Sequence, residues 1–89
     1  MEYQYPFSIH WTTEEVIKVI EFFQMIEKAY EHGVSREQLL TSYREFKKIV
    51  PSKAEERKMT DEFQEVSNYS TYRTIQKAKS AEDQSIIKM

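Results

Sequence analysis

Trp11-Thr12-Thr13-Glu14-Glu15-Val16 decides the fold, because every element of a helix start is packed into six residues. A Thr12 hydroxyl can accept a hydrogen bond from the backbone N–H three residues on, while the Glu15 carboxylate reaches back to the cap. Trp11 and Val16 flank this box as a hydrophobic staple, which fixes how the chain enters the helix. The same signal recurs at Ser35-Arg36-Glu37-Gln38 and Ser52-Lys53-Ala54-Glu55, and Ser70 makes a fourth, weaker start. Four starts along 89 residues predict a small all-α bundle of about four helices.

The first helix is expected over 13–32. Gly33, the only glycine, stands where a helix ending needs a left-handed residue. A Schellman ending there would bring Val34 against Ala29. Val16, Val19, Ile20, Phe23, Ile26 and Tyr30 form its main apolar stripe, and Phe22, Met25 and Ala29 widen it to an arc of roughly 220°, about twice that of an ordinary surface helix. Such a helix is central, or it has a second partner.

The second helix, 36–50, carries Leu39, Tyr43, Phe46 and Val50 on one side, repeats the staple with Val34 and Leu39, and is stopped by Pro51. The third, 53–67, has a thin line of Met59, Phe63 and Val66, with Asn68 in the left-handed role after it. The fourth, 71–80, is expected to turn Tyr72, Ile75 and Ala78 inward. Residues 81–89 read either as a helix extension or as a frayed tail.

At the other end Tyr3, Tyr5, Phe7, Ile9 and Trp11 alternate with polar residues and Pro6. A period of two with a proline inside reads as an extended aromatic arm, over 1–11, lying on the first helix. One helical domain over 1–89 is therefore expected, with residues 12–80 as its core.

Composition narrows the chemistry. The absence of cysteine excludes disulfides, thiolate catalysis and cysteine-ligated zinc. A single glycine excludes the glycine-rich loops that cradle phosphates. His10 falls in the arm, and His32 in a last helical turn where its cation suits the helix dipole. Neither has the partner spacing of a helical metal site, with Ala29 and Lys28 standing three and four residues before His32. Glu27 falls inside the apolar arc of the first helix, as an acid in a pocket or as an ion pair at the core's edge. No catalytic residue, metal site or cofactor is implied, and the chain is not expected to be an enzyme. No basic, apolar leader opens it, and no apolar run approaches the roughly 20 residues that span a bilayer. A cytoplasmic location is the expectation, with no membrane partner and no small-molecule substrate.

Charge is uneven. Residues 1–43 hold three basic and seven acidic groups, against ten and eight in residues 44–89. Read as a helix-turn-helix, the second and third helices fail: Glu55, Glu56, Asp61, Glu62 and Glu65 would face phosphates. The fourth helix is better suited, with Arg73, Lys77 and Lys79 and no acid, although three cations are a weak footprint. Two surfaces are thus candidates for partner binding: Phe22, Met25 and Ala29 as a packing interface, and the basic-aromatic group Tyr69, Tyr72, Arg73 and Lys77. The expected function is a non-enzymatic protein-interaction module, with a homodimer as one form of it. The alternative is a weak nucleic-acid-binding or regulatory protein that uses the fourth helix.

Several stretches together resemble a known family: Glu2-Tyr3-Gln4-Tyr5-Pro6, Trp11-Thr12-Thr13-Glu14-Glu15, Glu27-Lys28-Ala29-Tyr30-Glu31, Val50-Pro51-Ser52-Lys53-Ala54-Glu55 and Phe63-Gln64-Glu65-Val66-Ser67, then Tyr69-Ser70 and Tyr72-Arg73. The chain is similar to the YktA-like uncharacterised family of short proteins from low-GC Gram-positive bacteria. The resemblance covers nearly the whole sequence. It implies a compact helical, cytosolic protein and carries over no activity and no functional residue.

Overall fold

A computed structural model describes residues 10–89. The expected aromatic arm falls largely on residues 1–9, outside the described residues. Four helices follow the four starts: α1 (Thr13–Glu31), α2 (Arg36–Ile49), α3 (Lys53–Ser67) and α4 (Thr71–Ser80). Two short strands complete the described chain, β1 (Val34–Ser35) and β2 (Ile86–Ile87).

Each helix begins on its predicted hydroxyl. At Thr12 both bonds of the capping box form, Glu15 N–H to Thr12 at 3.1 Å and Thr12 N–H to Glu15 at 2.8 Å. Ser35, Ser52 and Ser70 each accept only the forward bond, from Gln38, Glu55 and Arg73. The helix ends are equally local at Asn68, which is left-handed with φ 67°.

The end of α1 departs from expectation. Gly33 is left-handed, with φ 103°. The Lys28 carbonyl, however, accepts from both His32 and Gly33, at 2.8 and 2.6 Å, and no Schellman pair closes. The Ala29 carbonyl takes its hydrogen from the Met89 N–H instead, at 2.8 Å. A bond from the far end of the chain thus replaces the local cap.

α1 and α2 lie side by side over an aromatic seam. Phe22 stacks on Phe46 with centroids 4.6 Å apart, and Phe23 meets the edge of Phe46 at 5.7 Å. α3 joins the seam through Phe63, 4.6 Å from Phe23. Such pairs add about 0.5–1.5 kcal/mol each beyond the area they bury. Across the tight turn at Pro51, Glu56 of α3 accepts hydrogen bonds from Tyr43 and Lys47 of α2. Burial and the Glu56 carboxylate push the Tyr43 hydroxyl up to about 12.

Two inward faces are rotated from the sequence reading. In α3 the buried line is Met59, Phe63 and Ser67, not Val66, because i, i+4, i+8 continues it; Val66 is exposed. Ser67 tolerates burial by donating to the Phe63 carbonyl at 2.6 Å. In α4 the buried face is Thr71, Thr74, Ile75 and Ala78, which turns Tyr72 outward.

The last segment is neither a helix extension nor a frayed tail. After Ser80 the chain turns back, and β2 pairs antiparallel with β1, Val34 opposite Ile87 and Ser35 opposite Ile86. Ile87 is buried in the same core as Val34, Leu39 and Ala29.

Candidate interaction surface

The α1 half of the expected interface is corrected. Phe22 and Ala29 are fully buried, and Met25 is half-buried against the core. The wide arc of α1 is satisfied inside the chain. Phe22 is covered by Phe46 and Tyr43 of α2, and the last turn, at Ala29, meets the returning C-terminal segment. A helix with neighbours on two sides needs twice the ordinary stripe, so the arc reports centrality and not a free face.

The four residues expected at α4 lie in different surroundings. Tyr69 precedes the helix and stacks on Tyr30, centroids 4.5 Å apart and planes within 10°. Its hydroxyl donates to Glu31 at 2.8 Å, which raises its pKa; the nearby Glu27 carboxylate contributes in the same direction. Glu27 itself is half-buried. The Tyr30 hydroxyl accepts from the Ser70 N–H at 3.0 Å, and so sets where α4 begins. Tyr69 is therefore a positioning side chain. Lys77 is exposed, but its ammonium donates to the Lys88 carbonyl and ties down the C-terminal segment. Lys79 lies over the Tyr43 ring, 5.5 Å from its centre.

Tyr72 and Arg73 remain as outward-facing groups on a rigid helix. Tyr72 is 66% exposed, as is Ile86 on β2. Strand alternation places Ile86 and Lys88 on the side opposite the buried Ile87. The Cγ2 of Ile86 lies 3.0 Å from where a Cβ on Gly33 would stand, so this close approach and the positive φ both require glycine there. An acidic groove on α3 is open and lined by Asp61, Gln64, Glu65 and Asn68, all solvated. Among the described residues no group of three His, Cys, Asp or Glu side chains could hold a metal ion. No described helix is long and apolar enough to cross a membrane.

A second constellation was not legible in the sequence. Arg36, in the first turn of α2, donates from Nε to the Ala78 carbonyl at 2.8 Å and pairs with Asp83 at 3.0 Å. Glu37 accepts from the Gln84 N–H at 2.7 Å, which holds its carboxyl below the usual range. The Arg36 N–H itself donates to the Ser85 carbonyl at 2.9 Å. These partners are 42 to 49 residues apart in sequence, and strands of two residues have no period to detect.

The chain has close relatives over its whole length. It is 57% identical over 89 residues, covering all of both chains, to UPF0223 proteins of Bacillus cytotoxicus and Bacillus mycoides. It is equally similar, at 57% and full coverage, to UPF0223 protein YktA of Bacillus subtilis. The profile described as "Uncharacterised protein family (UPF0223)" matches residues 2–87. With the helix caps, helix ends and C-terminal strand all inside the matched span, the chain belongs to the UPF0223 family.

Proposed function

We propose that this protein is a non-enzymatic protein-interaction module of the cytoplasm, and that it meets an acidic partner through Tyr72 and Arg73 on α4. The observation that carries the reading is Tyr72. A tyrosine 66% exposed on a capped helix is a large apolar body with a polar tip, held at low entropic cost. Tyrosine and arginine are also the side-chain types that dominate binding hot spots. α4 carries three cations and no acid, so it favours a partner of negative charge. The nucleic-acid alternative shares this face, but three cations are a weak footprint for a phosphate backbone.

The test is a photocrosslinking side chain placed at Tyr72 in the full chain, exposed to cytosolic extract with and without nuclease. A discrete protein adduct that survives nuclease, and is lost with Arg73→Ala, is expected. Labelling no stronger than that from the same group placed at exposed Ile17 sinks the reading. Recovery that needs nucleic acid and falls steeply with salt transfers the face to the alternative.

A further inference from the structure

We infer that residues 86–89 form an exchangeable strap, and that at high concentration two copies of this chain trade these straps to make a homodimer. The inference does not depend on the α4 surface. Everything the strap gains, it gains from the helical body. β2 pairs with β1, Ile87 enters the core, the Met89 N–H bonds to Ala29, and the Lys88 carbonyl accepts from Lys77. A second copy offers the same groove and the same bonds, so exchange loses none of them.

What differs between closed and exchanged forms is the link over 81–85. In the closed form it is bent back sharply. Ala81 is extended (φ −82°, ψ 160°), and the Ser85 N–H and hydroxyl both return to the Glu82 carbonyl, at 3.2 and 2.6 Å. Gln84 sits at φ 64°, a region that a side chain larger than hydrogen disfavours. A short link holding a strained residue between a body and a self-complementary strand is the arrangement that invites exchange. Opening the link relieves Gln84 but breaks its bond to Glu37, the Arg36–Asp83 pair and the Arg36–Ser85 bond, and a second body offers these partners again together with the place for Ile87. The buried α1 face cannot support a dimer, whereas exchange needs no exposed apolar face at all.

Two substitutions at one position should act in opposite directions. Gln84→Gly removes the strain of the closed turn and favours the monomer. Gln84→Pro cannot adopt φ 64° and loses the N–H that bonds to Glu37, so it opens the link. Sedimentation velocity over a concentration series should find Gln84→Pro dimerising at about tenfold or more lower concentration than Gln84→Gly. The chain has no cysteine, so linkage can be read directly. Ser35→Cys protein is mixed with Ile86→Cys protein, refolded together at high concentration and oxidised; these positions face each other in the ladder. In an equal mixture, exchange predicts 35–86 heterodimers in excess over the 35–35 and 86–86 products taken together, which random pairing does not give. Refolded mixtures without that excess, or a dimer of Gln84→Pro that lacks it, overturn the inference. So does a folded Gln84→Pro chain that stays monomeric throughout the series.

Discussion

The α1–α2 seam and the corner where the C-terminal segment returns hold the same helices by different means. In the seam, Phe22, Phe23, Phe46 and Phe63 are all fully buried and touch ring to ring. At the corner the returning segment buries one side chain fully, Ile87, opposite Val34, and the rest is partial packing by Met89, hydrogen bonds and one ion pair with Asp83 largely in water. Apolar burial scales with area and is insensitive to small changes of angle, whereas corner bonds exchange protein partners for water at little net gain. The seam should therefore set global stability, and the corner should open locally before the whole unfolds.

Phe46→Ala is the largest expected break, at about 3–5 kcal/mol, because it leaves a cavity between Phe22 and Phe23. Urea denaturation measures it, and a loss below that of any corner variant would reverse the comparison. Ile87→Ala should cost about 2 kcal/mol, at the low end for a buried isoleucine because a two-residue strand can settle into the space. Its signature is local: faster hydrogen exchange at Arg36 and Met89, with the α1–α2 amides little changed.

Arg36→Ala should cost about 1–2 kcal/mol by removing the bonds to the Ala78 carbonyl and Asp83. Added salt should recover little of that difference, since the Ala78 bond is part-buried and only the Asp83 pair is exposed. Thr71→Val should go the other way. The Thr71 hydroxyl is buried with no hydrogen-bond partner among the described residues, so an isosteric apolar side chain should stabilise by about 1 kcal/mol in thermal unfolding.

The smallest effect is a pH dependence at the corner. Glu37 has its carboxyl lowered from 4.5, chiefly by the Gln84 N–H. A group depressed in the folded state contributes stability above its unfolded value, and loses it as pH falls through the folded one. The Gln84 amide resonance should accordingly shift in a titration below pH 4.5, and Glu37→Gln should abolish the shift. A Gln84 amide indifferent to both would remove Glu37 from the clasp.

The helices were almost fully readable. Thr12, Ser35, Ser52 and Ser70 each satisfy N–H groups within three residues, so caps are written in adjacent sequence. The stripes were read correctly in type and misjudged by one position at Val66 and Tyr72, since a helical wheel leaves about 100° between neighbours and only the partner helix chooses. The width of the α1 face is legible and leaves two readings, a central helix or a second partner; burial of Phe22 and Ala29 fits the first. A stripe records that Phe22 and Ala29 are buried, and nothing in it records by what.

Sequence by itself determined where helices begin and end, which side chains are apolar, and the family to which the chain belongs. These are local or additive properties: a cap acts over three residues, and a stripe needs only its own periodicity. Tertiary structure alone decided that residues 86–89 return to cap α1, that Arg36 and Glu37 clasp the link, and that Tyr72 faces outward. Those outcomes depend on contacts between residues dozens of positions apart, where loop closure and the competition of four helices for one core select among faces the sequence leaves equivalent.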